Sequence, residues 1–278
     1  MRKLNLLLLL LLLSSSALFA QADFYSIQPL GHRYLYNSDY FEDAREIQVY
    51  QNGVIGDLST DSVLTVYIMD AQYPPTYNLF CSTFDLLYPN VPCIIVGIVN
   101  FNRQSDLTPP YTDSLSVRYY DHPGHAKEML SSLKEELIPF ITKKYHAGSR
   151  RILVGHSLGG TFVTYAMMED PAMFPCILAV SPNYEYSKSM MVHKMEHFSI
   201  PNSDVDKVYI YLANGRKDKI EEKFKPYTKE AVAALRKQTG VILHYDSLDI
   251  EKHSFTVFEG FYKGLQSLRP YIEKSVSR

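Results

Sequence analysis

Apolar runs of strand length alternate with longer segments of helical period through most of this 278-residue sequence, and several of the runs are apolar at consecutive positions. A strand with one wet face alternates apolar and polar residues; a strand covered on both faces does not. The pattern therefore predicts one α/β domain built on a mostly parallel central sheet with helices on both faces. The expected strands are Glu46–Tyr50, Val63–Met69, Cys93–Val99, Arg151–Gly155, Cys176–Val180, Val208–Ala213 and Val241–Tyr245. Across Glu128–Tyr145 the residues Met129, Leu130, Leu133, Leu137, Ile141 and Tyr145 recur at helical spacing, with Pro139 expected to kink the helix by removing a backbone donor. Further helices are expected over Thr161–Glu169, over Pro226–Gln238 with its proline in the first turn, and from about Phe255 to Leu268. Phe101 to Lys127 and Ser181 to Ser203 carry no clear period and read as long loops of the kind that build binding sites.

The first residues follow a different logic. Arg2 and Lys3 precede an unbroken apolar stretch from Leu6 to Leu13, then serines and the small residues Ala17, Ala20 and Ala22. That order is a secretory signal peptide over residues 1–22, cleaved after Ala20 or Ala22, with 23–278 forming the mature domain. Its apolar core is shorter than the roughly 18 residues a membrane span needs, so a secreted or periplasmic protein without a stable membrane span is expected. A formal net charge of −2, from 28 basic and 30 acidic residues with no basic cluster, argues against nucleic acid as a partner. Cys81, Cys93 and Cys176 are too few and too scattered for a disulfide framework or a zinc site, and Cys93 and Cys176 read as small buried hydrophobes.

Chemistry concentrates at Gly155-His156-Ser157-Leu158-Gly159, a G-x-S-x-G sequence with the apolar strand Ile152-Leu153-Val154 running into it and a helix leaving it. In that context the serine occupies a tight strand-to-helix turn whose backbone needs small neighbours, and its hydroxyl stands above the carboxyl ends of the strands. The following helix aims N–H groups and a positive dipole end at the same spot. The amide of Leu158 is one expected oxyanion donor, and the loop Asp70-Ala71-Gln72 offers a second in the amide of Gln72. A serine needs a base, and the expected chain order is serine, acid, histidine. Of His193, His197, His244 and His253, the last lies in a polar loop just before the final helix and is the expected base. Asp218, after the strand Val208–Ala213, is the favoured acid, with Glu221, Glu222 and Asp249 as competitors in a densely charged stretch.

These segments resemble the putative-esterase branch of the α/β-hydrolases, which includes esterase D-like proteins, enterochelin (siderophore) esterases, carbohydrate feruloyl and acetyl esterases and mycolyltransferases. The resemblance runs from about Glu46 to Leu268 and rests on "VLTVYIMDAQ", "VGIVNFNRQSDLTP", "EELIPFITKKY", "SPNYEY" and "EKHSFTVFEGFYKGL" around the serine motif. It implies the α/β-hydrolase fold, with Ser157 as nucleophile, Asp218 as acid, His253 as base and the amides of Gln72 and Leu158 as oxyanion donors. It implies no cofactor and no metal. Ala71 stands where the family usually has glycine, and Tyr184 and Tyr186 stand where tryptophans are common, which implies an aromatic pocket of different shape. Arg103 and Asp106 read first as a pair that pins the long loop, and second, for Arg103, as a contact to an anionic substrate group.

The expected activity is hydrolysis of a carboxylic ester through an acyl-enzyme, on a small-molecule or carbohydrate ester such as a siderophore or an acylated sugar. Acyl transfer on the same triad is the alternative within chemistry, and a non-catalytic binding protein of the same fold is the alternative outside it.

Overall fold

The computed structural model describes residues 30–53, 63–200 and 207–275. The signal peptide expected over residues 1–22 lies outside the described residues. Among the described residues eight strands form one sheet: β1 (His32–Tyr36), β2 (Arg45–Gln51), β3 (Leu64–Ile68), β4 (Cys93–Ile98), β5 (Arg151–His156), β6 (Cys176–Val180), β7 (Val208–Gly215) and β8 (Val241–Leu248). Their order is β1-β2-β4-β3-β5-β6-β7-β8. Only β1 with β2 and β2 with β4 pair antiparallel; the rest of the sheet is parallel.

The consecutive apolar runs have the cause expected of them. Ile152 and Val154 of β5 face one side of the sheet and Leu153 the other, and Cys176, Leu178 and Val180 of β6 oppose Ile177 and Ala179. One face is covered by α1 (Pro74–Leu87) and a C-terminal helix, through Phe80, Phe84, Phe261 and Leu265. The other is covered by the remaining long helices through residues such as Leu133, Phe162, Met191 and Val232. Because period 2 sends neighbours to opposite faces, both must be apolar when both faces are dry. Cys81, Cys93 and Cys176 are free and buried in this packing. No helix among the described residues is long and apolar enough to cross a membrane.

The loops left without a period contain short helices. Phe101 to Lys127 holds α2 (Arg103–Asp106) and α3 (Ser114–Tyr119) and runs at its end into α4 (Ala126–Ser132), which α5 (Ile138–Tyr145) follows. Between these last two, Leu133–Leu137 is π-helical, with the N–H of Ile138 reaching back to the Leu133 carbonyl. The disruption expected at Pro139 thus takes the form of a wider turn just ahead of it, where a residue without an N–H is accommodated without breaking the helix. Next come α6 (Leu158–Glu169), α7 (Tyr186–Glu196), α8 (Lys219–Leu235), α9 (Thr256–Ser267) and α10 (Arg269–Ile272). Helix α8 begins before Pro226, which sits inside it, because Asp218 caps the N-terminus by accepting from the Ile220 N–H at 2.7 Å.

Helix α6 is buried from Leu158 to Met168, as a helix apolar all round should be. It packs so tightly on β5 that a Cβ added at Gly155 would land on the Gly159 carbonyl. The obstacle is backbone and cannot swing aside. Gly155→Ala is therefore expected to cost about 3 kcal/mol of folding stability, the upper part of the usual range for overpacking; urea unfolding of the variant measures it, and an unchanged midpoint would contradict the packing argument.

Candidate active site

Three non-glycine residues at the carboxyl ends of adjacent parallel strands adopt left-handed φ: Asp70 after β3 (64°), Ser157 after β5 (57°) and Ser181 after β6 (47°). The amide of Ser157 donates to the Val180 carbonyl at 2.9 Å and that of Ser181 to the Ala213 carbonyl at 2.6 Å, so the parallel ladder continues one step before the chain turns. Ser157 has φ 57° and ψ −120°, outside the conformations most side chains tolerate, and it stands directly before the first residue of α6. The sharp turn lifts its side chain off the sheet and into a cavity of about 420 Å³, where His253 and Arg103 also lie. The other walls are mainly apolar, from Ile68, Met69, Tyr73, Pro75, Val257 and Phe261.

His253 opens a short 3-10 turn, His253–Phe255, that leads into α9. Its Nδ1 is 2.6 Å from Oε1 of Glu221, whose side chain is fully buried, while the imidazole keeps 13% exposure toward the cavity. A carboxylate only accepts, so this contact places the proton on Nδ1 and leaves Nε2 with its lone pair. The other oxygen of Glu221 accepts from the Gly215 amide at 2.8 Å and from Nδ2 of Asn214 at 3.2 Å. Three donors therefore hold a charge that has no water around it. Phe224 meets the imidazole edge-on at 5.7 Å.

Asp218 does not reach the His253 ring. Its Oδ1 is used by the Ile220 amide, and its Oδ2 accepts from the backbone N–H of His253 at 3.2 Å. These two amide donors, Ile220 first, hold its carboxyl below the usual carboxylate range. The acid expected at 218 is thus a helix cap that steadies the histidine's backbone, and the carboxylate on the ring is Glu221, one turn further on. Glu222, in the first turn of α8, is not the partner of the ring, and Asp249 pairs with Arg216 and Lys217.

The Arg103–Asp106 pair does not form either. Arg103 instead clasps Asp70 with two bonds, Nε to Oδ1 at 3.1 Å and Nη2 to Oδ2 at 2.9 Å, and Asp106 pairs with Arg45 at 2.5 Å deep below the loop. Asp106 reaches Arg45 of β2 and Arg103 reaches Asp70 just past β3 because α2 turns its residues 103 and 106 toward different neighbours. Burial works against the Arg103 charge, but Asp70 more than offsets it and holds the guanidinium pKa above its ordinary value. Asp70 Oδ1 also accepts from Gln72 Nε2 at 3.0 Å, and the Gln72 side-chain oxygen accepts from the Asn100 amide at 3.0 Å. This network fixes the loop beside Ser157 through Asp70, which takes the left-handed φ, so Ala71 sits in ordinary backbone and its side chain packs in the core. The backbone N–H of Gln72 meets no acceptor among the described residues.

The two tyrosines expected at the pocket lie elsewhere. Tyr184 is fully buried with its hydroxyl 2.7 Å from Thr164 Oγ1, a core position. Tyr186 donates to the Pro109 carbonyl at 3.0 Å and lines a separate cavity of about 490 Å³ with Tyr119, Tyr120, Lys188 and Lys223. In their place Tyr73, Val257 and Phe261 border Ser157. Phe261 falls on the apolar stripe of the last expected helix, so its side chain was legible as core and its edge on the cavity was not.

The Putative esterase family model matches residues 65–272, most of the chain and all of the site just described. The chain belongs to the Putative esterase family. It is 30% identical over 139 residues to the ferri-bacillibactin esterase BesA of Bacillus subtilis, a match covering 45% of this chain and 48% of that protein. The match thus spans about half of that relative's length. The fold is that of the BES protein from Bacillus cereus, with TM-score 0.73 at 18% identity over 90% of this chain and 98% of that one. It is equally that of the siderophore hydrolase EstA from Aspergillus nidulans, with TM-score 0.69 at 18% identity over 90% and 99%. This member of the Putative esterase family therefore has the α/β-hydrolase fold expected from its sequence.

Proposed function

We propose that this Putative esterase family member is a secreted or periplasmic serine esterase that works through Ser157, His253 and Glu221. The observation that carries the reading is the 2.6 Å contact from the fully buried Glu221 to His253, which lines the same cavity as Ser157. His253 Nε2 takes the Ser157 proton as Oγ attacks the ester carbonyl, and Glu221 stabilises the imidazolium that results. The amides of Leu158 and Gln72 donate to the oxyanion of the tetrahedral intermediate. Collapse expels the alcohol, protonated by His253, and leaves an acyl-Ser157 that His253 then helps water to cleave. The signal-peptide pattern expected over residues 1–22 supports the compartment.

For the substrate we infer a siderophore ester. BesA by its name acts on ferri-bacillibactin, and EstA by its name is a siderophore hydrolase. The apolar cavity suits an aryl or alkyl acyl group better than a free sugar, and Arg103 supplies its cationic edge. A fluorophosphonate probe followed by peptide mapping tests the chemistry: Ser157 should be the labelled residue, and well-folded protein that resists the probe would end the hydrolase reading. Chromatography of ferric and iron-free bacillibactin after incubation tests the substrate. Turnover of p-nitrophenyl acetate without cleavage of either form would overturn the siderophore assignment and leave the esterase standing.

A further inference from the structure

The residue ahead of the nucleophile has no part in the steps above, yet it touches the base twice. The rings of His156 and His253 lie 4.6 Å apart, tilted by 37°. Nε2 of His156 is 3.1 Å from the backbone carbonyl oxygen of His253 and 3.1 Å from Oγ1 of Thr256. The hydroxyl of Thr256 donates to that same carbonyl at 2.7 Å, and the Ser181 hydroxyl donates to Thr256 at 3.0 Å. With those two protons spoken for, Nε2 of His156 must bring its own, shared between the His253 carbonyl and the second lone pair of Thr256. Burial first, and then the nearby His253 ring, push the His156 pKa down to about 3, so the ring is a neutral donor throughout the working range of an esterase.

The His253 peptide is thereby gripped at both ends, its N–H by Asp218 and its carbonyl by His156 and Thr256, while Phe224 and His156 bracket the ring. One of these grips differs from the rest, because His156 is the last residue of β5 and the immediate neighbour of the nucleophile. We propose that His156 is a positioning residue, one that ties the base loop to β5 so that the strand leading into Ser157 also sets the place of His253. This rests on the reading of His253 as base, and it assigns the variable position of the G-x-S-x-G sequence a task of its own.

Three variants separate the ring from its donor. His156→Gln keeps an N–H near the Nε2 position, His156→Phe keeps an aromatic face and loses the donor, and His156→Ala loses both. With p-nitrophenyl acetate, His156→Phe should lower kcat about tenfold, the effect of one hydrogen bond lost from a preorganised site, with KM within twofold of the parent. His156→Gln should recover most of that loss, and His156→Ala should fall lowest. The low-field proton resonance of the His253–Glu221 bond gives a second signature, sharp in the parent and in His156→Gln, broadened or shifted in His156→Phe. If His156→Ala does not fold, the Gln and Phe pair decides alone. Equal losses in Gln and Phe, a rise in KM in place of the fall in kcat, or a His156→Phe enzyme as fast as the parent would each overturn the proposal. A parent protein that fluorophosphonate does not label at Ser157 would strike the triad reading itself, an outcome separate from all of these.

Discussion

Ser157→Ala should leave a folded protein whose ester turnover is lower by at least about 10⁴-fold, since removing the nucleophile of a serine triad leaves only oxyanion and binding contributions. The fold should survive because the contacts that build the turn do not use the hydroxyl: the Ser157 amide bonds to Val180, and its carbonyl accepts from Thr161 at 3.0 Å. Alanine is no worse than serine at φ 57°, so no new backbone strain enters. Initial rates with p-nitrophenyl acetate, together with a thermal melt by circular dichroism, read both halves. Residual activity within tenfold of the parent would remove Ser157 from the mechanism.

The second large effect is expected at Glu221. Glu221→Gln keeps the shape and retains an oxygen for the Gly215 amide, but it can present an N–H to His253 Nδ1 where a carboxylate accepted. The ring then shifts its proton to Nε2 and faces Ser157 as a donor, the wrong tautomer for a base. A kcat loss of about 10³ to 10⁴ is expected on that ground. Asp218→Asn keeps one oxygen for the Ile220 cap and gives up the 3.2 Å acceptor of the His253 amide, a backbone contact remote from the ring, so its loss should stay near tenfold or below. Parallel steady-state kinetics on the two variants decide between the carboxylates, and an Asp218→Asn enzyme as impaired as Glu221→Gln would return the acid role to residue 218.

That choice also marks where the sequence was legible. Strands β3 to β7 announce themselves because two dry faces demand unbroken apolar runs, and the elbow announces itself because only glycine fits between β5 and α6. Strand β1, His32–Tyr36, gives no such signal: it lies at the sheet edge, mostly exposed, and is held there by pairing with β2. Asp218 drew attention as the first acid after β7, whereas Glu221 hides in a charged run that reads as solvated surface. A signal was present all the same. Glu221, Phe224, Thr228, Ala231, Val232 and Leu235 fall at helical spacing and are the buried face of α8. A carboxylate on an apolar stripe is the anomaly that points inward, and it was obscured because Pro226 suggested that the helix starts after it. Arg103 was legible as a charged residue of a long loop, but its partner Asp70, just past β3, was not, since which loops meet above the sheet follows the strand order and not the spacing along the chain.

The strained backbone at Ser157 has a consequence for endurance as well as for reactivity. Glycine adopts φ 57° without the penalty that any side chain pays there, which amounts to roughly 1 kcal/mol. Under the proposed mechanism a Ser157→Gly protein is expected to be inert; it would start from a lower folded-state energy at the turn, against the greater conformational entropy of its unfolded chain. The two terms are of similar size, so the turn's strain costs the fold little net stability, and under the proposed mechanism it is turnover alone that keeps a side chain at this residue.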